Sequence, residues 1–313
     1  MRILLIAGGW SDEREVSLSG AVGIKASLRR QGHVVTLFDP CDGLARLPHL
    51  VEDFDFAFLN LHGAPGEDGL VQAMLDRLGK PYQGSGPAGS ILALDKAASK
   101  ALFVQNNLAT PPWFFVPVRF GSNHGDRPGS DLLADMPCPF GPPYVVKPNL
   151  GGSSLGIEVV REHGGLAPAV EKVLREGRDV LVEQYQPGVE VTCSVLGDEA
   201  LPLILIRPGE GATFFDYDSK YVPGRAEEIC PAPLPGDVSR AIQAVALHAH
   251  RALGLRGYSR ADFILHEGQA HLLEVNTLPG MTATSLLPQA AAVHGLDFDH
   301  LLARLIDLGM RGR

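Results

Sequence analysis

Hydrophobic residues in the first ninety positions form short continuous runs separated by stretches with helical spacing. Apolar runs at 2–7, 33–38 and 54–61 predict three strands. A helix is predicted between the first two strands, with apolar positions from Val16 to Leu28, and another is predicted at 70–78. Because strands that alternate with helices are typical of open parallel sheets, this region is predicted to be an α/β sheet that ends near residue 90.

Beyond residue 140 the pattern changes to short strands with fewer helices. After an irregular Pro- and Gly-rich connection at 117–143, the chain is predicted to form a small α+β unit and then a larger one. The predicted domains are an N-terminal α/β domain at 1–93, a central α+β domain at 94–180 and a C-terminal α+β domain at 181–313. Their later elements are strands at 144–148, 157–160, 180–185, 189–196 and 201–206, helices at 166–176 and 237–253, and a hairpin at 260–276.

The composition argues against several classes of protein. The chain has 313 residues, of which 45% are hydrophobic, so it is long enough for two or three buried cores. A net charge of −9 provides no broad basic field for nucleic acid or an anionic membrane, and no apolar run approaches the roughly 18 residues of a transmembrane helix. The four cysteines are far apart and form no zinc or disulfide pattern. We therefore expect a cytoplasmic protein that binds neither nucleic acid nor membranes.

The most informative polar residues lie in the predicted hairpin near the C-terminus. If its turn centres on Gly268, Asp262 lies opposite Glu274 and Arg260 lies opposite Asn276, with the four side chains on one face. Opposed carboxylates about 5 Å apart repel each other, so their pairing requires a reason. Divalent cations such as Mg²⁺ bind carboxylate and amide oxygens and would supply one. The alternative is the solvated face of an ordinary hairpin.

A second candidate site is the loop that follows the strand bearing Lys147. The loop runs from Gly151 to Ser154, and its small residues would allow main-chain N–H groups to surround a phosphate. Burying the lysine ammonium without an anionic partner would be costly, which favours a bound phosphate. The loop matches neither a Walker sequence nor a dinucleotide fingerprint, and an ordinary tight hairpin is the alternative.

Other polar residues are weaker candidates. Glu183 and Glu190 stand at the adjoining ends of two predicted strands, where they would either hydrogen-bond a ribose or face solvent. The loop 214–221 mixes aromatic, acidic and lysine residues, as does a lid that closes over a charged substrate. Gly280 shortly precedes a predicted helix, whose first N–H groups suit a carboxylate or an oxyanion. His62 is either a catalytic base or an ordinary loop histidine.

Several segments occur together in a recognisable order. They are 8–18, 62–69, Asp95 with Lys96, Lys147 with 152–154, 216–221, 230–233 and 274–282. Over nearly the whole chain they resemble the D-alanine:D-alanine ligase family of the ATP-grasp superfamily. Each segment alone is weak evidence for the family, but their joint occurrence at these spacings is specific to it. The resemblance implies a three-domain ATP-grasp fold, with ATP held between the central and C-terminal domains.

The resemblance implies an ATP site built from two lysines, two serines and two glutamates. Lys96 and Lys147 would bind the phosphates, the serines would belong to a closing glycine-rich loop, and the glutamates would face adenine and ribose. The serines are Ser153 and Ser154, and the glutamates are Glu183 and Glu190.

The resemblance also implies metal and substrate sites. Glu13 would bind the ammonium group of the first D-alanine, and Ser153 and Tyr221 would link the lid to it by hydrogen bonds. Arg260 and the N–H of Gly280 would steady the acyl phosphate and the tetrahedral oxyanion. The metal ligands, for two Mg²⁺ or Mn²⁺ ions, would be Asp262, Glu274 and Asn276. The other substrate-binding residues would be His62, Lys220, Ser285 and Leu286.

The implied activity is the ATP-dependent ligation of two D-alanine molecules for peptidoglycan synthesis, by a homodimer. Two positions depart from the family pattern, since Gly151 stands where the family usually has glutamate and Gln184 where it has lysine. Loop anchoring and adenine contact are therefore expected to differ. Lys220 with Tyr221 favours an amine rather than D-lactate as second substrate. The sequence leaves open whether D-serine is accepted as that amine.

Three other functions would each predict different residues in the chain. The first is an ATP-grasp ligase for another D-amino acid or another carboxylate and amine pair, which would alter residues such as Glu13 or Ser285. The second is a non-catalytic nucleotide-binding module, which would have lost a metal ligand or Arg260. A nucleotide-dependent oxidoreductase is disfavoured because no dinucleotide loop follows the first strand.

Overall fold

The computed structural model describes residues 1–118, 138–152, 156–209, 226–282 and 284–311. Within these ranges the chain forms one parallel and two antiparallel sheets. The strands are β1 (Arg2–Ala7), β2 (Val34–Phe38), β3 (Phe56–Asn60), β4 (Trp113–Val116), β5 (Tyr144–Pro148), β6 (Glu158–Val160), β7 (Val180–Gln184), β8 (Val189–Leu196), β9 (Glu199–Ala200), β10 (Ile204–Pro208), β11 (Ala226–Ile229), β12 (Tyr258–His266) and β13 (Gln269–Asn276). The helices are α1 (Arg14–Arg30), α2 (Leu47–Val51), α3 (Leu70–Arg77), α4 (Pro87–Leu94), α5 (Lys96–Gln105), α6 (Leu166–Arg175), α7 (Gly236–Ala252), α8 (Leu286–Val293) and α9 (Phe298–Arg311). Among these helices, none combines the length and the apolar character needed to cross a bilayer.

The parallel sheet has the order β2-β1-β3 and confirms the predicted N-terminal α/β pattern. Its central strand β1 is apolar and buried on both faces, as is usual where helices cover a parallel sheet. After β1 the chain turns through Gly8 and Gly9, both with positive φ, and a Cβ at Gly8 would lie 2.4 Å from the carboxylate of Asp39. Only glycine fits there, and the turn brings Glu13 to the start of α1.

The last two helices return to this N-terminal sheet. Leu287 of α8 and Leu305 of α9 are fully buried in the same apolar cluster as Ile3. An ion pair between Arg30 and Asp299, with 2.6 Å between Nη2 and Oδ1, joins α9 to α1 at the surface. Helices α8 and α9 therefore pack into the core beside the N-terminal sheet, although the sequence analysis assigned them to the C-terminal domain.

The four-stranded antiparallel sheet has the order β4-β7-β5-β6. Sequence reasoning placed the strand at 180–185 in the C-terminal unit, and this was wrong, because β7 pairs with β4 on one side and β5 on the other. An apolar strand buried on both faces gives no sign of which sheet it joins. The domain boundaries at 93/94 and 180/181 stay predictions.

The second antiparallel sheet has the order β11-β10-β8-β12-β13, with β9 paired to β8. The strand predicted at 201–206 instead begins at Ile204, as β10, and the short β9 ends before the predicted strand. Helix α7 packs on this sheet, where Ala246 joins the buried cluster that contains Cys193 and Phe263. The long strands β8, β12 and β13 are neighbours in this sheet. Asp262 lies on β12 and Glu274 lies on β13.

Candidate active site

The β12–β13 hairpin brings together the four polar residues predicted from its sequence. Arg260 pairs with Asn276 and Asp262 pairs with Glu274, which confirms the predicted cross-strand pairs. The turn itself differs from the expectation, because it consists of Glu267 and Gly268, both with positive φ, rather than being centred on Gly268. The two-residue turn offsets the pairing by one residue as far as Phe263. A register shift between Asp262 and Phe263 removes the offset, so the predicted pairs form from Asp262 onward.

Asp262 is held by donors on both of its carboxylate oxygens. Arg260 donates to Oδ1 through Nε and to Oδ2 through Nη2, each at 2.8 Å. Thr192 of β8 donates its hydroxyl to Oδ1 at 2.8 Å, and the amide nitrogen of Asn276 donates to Oδ2 at 3.0 Å. Charge-assisted bonds of this kind fix the carboxylate in one orientation. The side chain is buried, so these bonds are protected from water.

Lys96 links the glycine loop to the acidic hairpin. Its ammonium donates to the carbonyl oxygen of Gly151 at 2.5 Å and lies 3.5 Å from Oε2 of Glu274. The residue begins α5, whose first turn is capped by Asp95, since that carboxylate accepts from the N–H of Ala98 at 3.0 Å. Gly151 has a φ of +126°, a conformation that disfavours any residue with a side chain.

Asn149 ties the loop to the start of α5. Its amide nitrogen donates to Asp95 at 2.9 Å, and its amide oxygen accepts from the N–H of Ala97 at 2.9 Å. The side chain is buried, so both bonds are protected from water. The position of Lys96 is therefore fixed relative to the strand that carries Lys147.

Lys147 has a protein partner that sequence reasoning did not foresee. Its ammonium lies 2.7 Å from Oε2 of Glu183, and the ammonium of Lys100 lies 2.6 Å from Oε1 of the same carboxylate. Burial of Lys147 therefore no longer favours a bound phosphate by itself, because the chain supplies an anion, and the phosphate contact stays a prediction. Although burial raises the pKa of Glu183, the two ammonium groups outweigh it and hold that pKa below its usual value.

Lys100 and Glu67 are two residues of the site that sequence reasoning missed. Lys100 stands four residues after Lys96, so the two lysines lie on one face of α5, and this spacing was the available signal. Glu67 accepts from the N–H of Gly63 at 2.8 Å and from that of Leu278 at 3.4 Å. Burial, with a smaller contribution from nearby Glu13, raises the pKa of Glu67 to about 7.

Glu13 and His62 lie near Glu67, and all three line the large cavity of the site. The hydroxyl of Ser11 donates to the carbonyl oxygen of His62 at 2.6 Å and holds this loop against the start of α1. Burial lowers the pKa of His62, so its imidazole is neutral at pH 7 in spite of the neighbouring Glu13. A Cβ at Gly152 would lie 3.0 Å from Oε2 of Glu13, which shows how closely the glycine loop approaches this carboxylate.

The segment after β13 leads into α8 through a compact turn. Ser285 precedes the helix, and its hydroxyl oxygen accepts from the N–H of Thr282 at 3.0 Å. A Cβ at Gly280 would lie 2.8 Å from Oγ of Ser285, so a side chain there would displace the serine. The helix predicted to start at Ser285 begins one residue later, at Leu286, with Ser285 as its N-cap, and both residues line the large cavity.

Three cavities that share lining residues lie among these groups. A cavity of about 380 Å³ is lined by the described substrate and metal candidates, a slot of about 130 Å³ is lined by residues of β5 and β7, and a gap of about 30 Å³ is lined by Lys96 and Lys147. Glu274 lines all three. Besides Glu274, the predicted residues that line the largest of the three are Glu13, His62, Gly280, Ser285, Leu286, Glu190, Arg260, Asp262 and Asn276.

The slot has the character of a site for a flat, largely apolar ring. Its walls include Val145, Ile157 and Leu273, while Glu183 and Gln184 add polar groups. Glu190 lines both the slot and the large cavity, between the two. A ring in the slot would thus be followed by the lysines and then by the acidic hairpin.

Comparison with known proteins identifies the family that has this arrangement. The family model described as "D-ala D-ala ligase C-terminus" matches residues 102–307. A D-alanine–D-alanine ligase of Oleidesulfovibrio alaskensis is 62% identical over 311 residues, which cover 99% of this chain and 97% of that one. The enzyme of the same name from Maridesulfovibrio salexigens is 51% identical over the full length of both chains. The chain belongs to the D-alanine–D-alanine ligase family.

Solved structures of the D-alanine–D-alanine ligase family confirm the ATP-grasp fold class predicted from the sequence. The crystal structure of the Bacillus anthracis ligase has a TM-score of 0.85 and 35% identity, covering 100% of this chain and 98% of that one. The same ligase complexed with ATP has a TM-score of 0.83 and 33% identity. Four residues expected to act in this ligase, Ser153, Ser154, Lys220 and Tyr221, lie outside the described residues.

Proposed function

We propose that the protein joins two molecules of D-alanine into D-alanyl-D-alanine while ATP is converted to ADP and phosphate, which supplies a peptidoglycan precursor. The observation that carries the proposal is the position of Glu274 between a group of positive side chains and a group of oxygen ligands. Buried lysines lie on one side of this carboxylate and a carboxylate and amide lie on the other. Relatives named D-alanine–D-alanine ligase that match over nearly the whole chain support it.

The reaction requires two steps, because a carboxylate does not acylate an amine in water. The terminal phosphoryl group of ATP passes to a carboxylate oxygen of the first D-alanine, which gives an acyl phosphate and ADP. The amine of the second D-alanine attacks the carbonyl carbon, the bond from that carbon to the phosphate oxygen breaks, and phosphate leaves. The amine loses its proton as the amide forms. Water has to be excluded, since it would hydrolyse the acyl phosphate.

The lysine end of the site would hold the nucleotide. Lys96 and Lys147 border the gap of about 30 Å³ and would contact the phosphates, while the neighbouring slot would take the base. Glu183 and Glu190 both line that slot, which supports their expected place near adenine and ribose. Ser153 and Ser154 follow Gly152 in the chain and would contribute from the same loop.

The acidic hairpin would hold two divalent cations, Mg²⁺ or Mn²⁺. The oxygen donors of Asp262, Glu274 and Asn276 line one cavity and match the hard ligands that these ions prefer. The Asn276 amide donates to Asp262 through its nitrogen, so its oxygen is not used in that bond. When bound, the cations would neutralise the charge that develops on the transferred phosphoryl group.

The remaining residues would position the two D-alanine molecules. Glu13, with His62 beside it, would receive the ammonium group of the first substrate. Arg260 and the Gly280 N–H would stabilise negative charge on the acyl phosphate and the tetrahedral intermediate. The carboxylate of the second substrate would meet Ser285 and the N–H of Leu286 at the start of α8, with help from Lys220, while Tyr221 and Ser153 would connect the lid to Glu13.

A cytoplasmic homodimer completes the proposal. The family resemblance supports both parts, and the acidic chain offers no broad basic surface for nucleic acid or an anionic membrane. Light scattering coupled to size-exclusion chromatography would test the assembly. A mass of twice that of one chain is expected, and a monomeric mass at working concentration would contradict it.

Phosphate release by the purified protein tests the proposed reaction. The assay contains ATP and Mg²⁺ with D-alanine alone, D-alanine plus D-lactate, D-alanine plus D-serine, or L-alanine, and the product is identified by mass spectrometry. D-Alanyl-D-alanine from D-alanine alone is expected. ATP binding without turnover of any pair would instead favour the other candidate, a ligase for a different carboxylate and amine pair.

A further inference from the structure

Lys100 is the most deeply buried cation of the site, yet the proposed reaction assigns it no contact with substrate. Its side chain is 0% exposed, and none of the three cavities includes it among its lining residues. Its ammonium contacts Glu183 at 2.6 Å and donates to the hydroxyl oxygen of Thr110 at 2.5 Å. A lysine buried to this degree carries a large desolvation cost, so its position requires an explanation.

The contacts of Glu183 suggest that explanation. Its two carboxylate oxygens are divided between Lys100 and Lys147, so one negative charge is shared by two positive charges. Lys147 borders the gap between the lysines, whereas Lys100 lies behind Glu183. Without Lys100, the whole charge of Glu183 would fall on Lys147 and would compete with any phosphate for that ammonium.

Lys100 is also anchored to the sheet that carries the acidic hairpin. Thr110, which accepts from Lys100, donates its hydroxyl to the carbonyl oxygen of Leu272 at 2.7 Å. The N–H of Leu272 donates in turn to the carbonyl oxygen of Ala109 at 2.8 Å. Leu272 stands two residues before Glu274 on β13, so Lys100 connects the lysine end to the strand of the proposed metal ligands.

We propose that Lys100 is a positioning residue that takes up part of the charge of Glu183 and thereby keeps Lys147 available to the phosphates of ATP. The inference rests on the proposed function, in which Lys147 contacts those phosphates. It assigns Lys100 an effect on nucleotide affinity although the side chain does not touch the nucleotide.

The charge states of the group agree with this role. Burial, opposed by the attraction of Glu183, lowers the pKa of Lys100 to about 8, so the side chain is mostly protonated at pH 7. The pKa of Glu183 is held low by both lysines, so the carboxylate is ionised. The cluster therefore carries one more positive than negative charge, and that surplus faces the gap through Lys147.

The test measures ATP affinity by calorimetry with Mg²⁺ present, in the wild type and in Lys100→Met. We expect at least a tenfold weaker Kd for ATP, with a matching rise in the KM for ATP and an unchanged KM for the first D-alanine. Lys172→Met is the matched control, because it makes the same change at an exposed ion pair with Glu158, and it should bind ATP as the wild type does.

A second variant separates positioning from a general structural role. In the double variant, Lys100→Met with Glu183→Gln, the carboxylate that competes with phosphate for Lys147 is removed. The ammonium of Lys147 is then available to phosphate again. The double variant should therefore bind inorganic triphosphate, which lacks the base and ribose that Glu183 is expected to contact, more tightly than Lys100→Met alone does. A structural role predicts the opposite, because two buried partners would then be lost instead of one.

The outcomes distinguish this inference from the proposed function. Unchanged ATP affinity in Lys100→Met, or a double variant that binds triphosphate more weakly than the single one does, would overturn the inference alone. Failure of the wild type to bind ATP would overturn both. If Lys100→Met does not fold, Thr110→Val replaces it, since that change removes the hydroxyl that anchors Lys100, and a twofold to fivefold loss of ATP affinity is expected, with no loss as the contrary result.

Discussion

The two ends of the site are built from opposite charges. At the lysine end, Lys100 and Lys147 surround the single carboxylate of Glu183, and all three are buried. At the acidic end, the single guanidinium of Arg260 faces Asp262 in a cavity that Glu13 and other carboxylates also line. The excess of positive charge suits an anion and the excess of negative charge suits cations. ATP with divalent cations satisfies both ends at once.

Glu274 differs from Asp262 in a way that matches its place between the two ends. Asp262 is fixed by four hydrogen bonds between 2.8 and 3.0 Å, whereas the contact from Glu274 to Lys96 is 3.5 Å long and its side chain is 23% exposed. Glu274 is therefore the more exposed of the two carboxylates, and it also contacts Lys96.

Removing the charge of Glu274 should break the link between the two ends and produce the largest effect. Glu274→Gln deletes one anionic metal ligand while conserving shape, and we expect ligase activity to fall by a factor on the order of a thousand or more, with the fold retained. Phosphate release and circular dichroism measure the two properties. Glu267→Gln, the same change at the exposed hairpin turn, is the control and should be fully active. A Mg²⁺-dependent, active Glu274→Gln would contradict the assignment.

The burial of Glu67 at the acidic end should be measurable as a pH-dependent cost in stability. The pKa of Glu67 is about 7 in the fold against 4.5 ordinarily, so its protonated form stabilises the fold fully below pH 4.5, and this contribution is lost as the pH rises through 7. Relative to Glu67→Gln, the wild type should therefore lose about 3 kcal/mol of unfolding free energy between pH 4.5 and pH 8.

Urea unfolding of both proteins across this pH range provides the measurement. The comparison with Glu67→Gln is required because other groups have the opposite sign. Burial lowers the pKa of His250 to about 4, so that group favours unfolding as the pH falls below 6.5. A constant difference between wild type and Glu67→Gln at every pH would show that Glu67 keeps an ordinary pKa.

Replacing Lys147 should weaken the lysine end without affecting the acidic end. Lys147→Met removes a charge-assisted contact to phosphate, which is typically worth about 1.5–3 kcal/mol, so ATP affinity should fall roughly 10- to 100-fold. Calorimetric titration with ATP and then with Mn²⁺ alone separates the ends. Equal losses for both ligands would indicate general unfolding of the site.

The smallest effect is expected at the capping residue of α5. Asp95→Ala removes the acceptor for the Ala98 N–H and for the Asn149 side chain, which should cost about 1 kcal/mol of stability and raise the KM for ATP modestly. Thermal unfolding and steady-state kinetics report the two effects. Asp95→Asn keeps an oxygen acceptor and should recover most of the stability. An Asp95→Ala variant as stable as the wild type would show that α5 is positioned by packing alone.

The sequence was sufficient to predict features that depend on local periodicity. The alternation of side chains along β12 and β13 predicted that Asp262 faces Glu274, although a two-residue turn and a register shift produce that pairing. The apolar runs predicted β1, β2 and β3, because buried parallel strands are continuously hydrophobic. Family resemblance, rather than periodicity, supplied the roles of residues such as Glu13.

Features that depend on long-range contact could not be predicted in the same way. Lys100 and Glu183 are far apart in sequence and on different elements, so nothing local indicated that Glu183 would neutralise two lysines. The membership of β7 in the central sheet is equally non-local, since it is set by pairing with β4 and β5. The packing of α9 on α1 also joins opposite ends of the chain.

A crystal structure of the protein with ADP and Mn²⁺ tests the opposite charge of the two ends most directly, because anomalous scattering identifies the metal. The account predicts Mn²⁺ within ligand distance of Asp262, Glu274 and Asn276, with the nucleotide phosphates beside Lys96 and Lys147 and the base in the slot near Gln184. Mn²⁺ bound away from these carboxylates, or phosphates remote from both lysines, would contradict it.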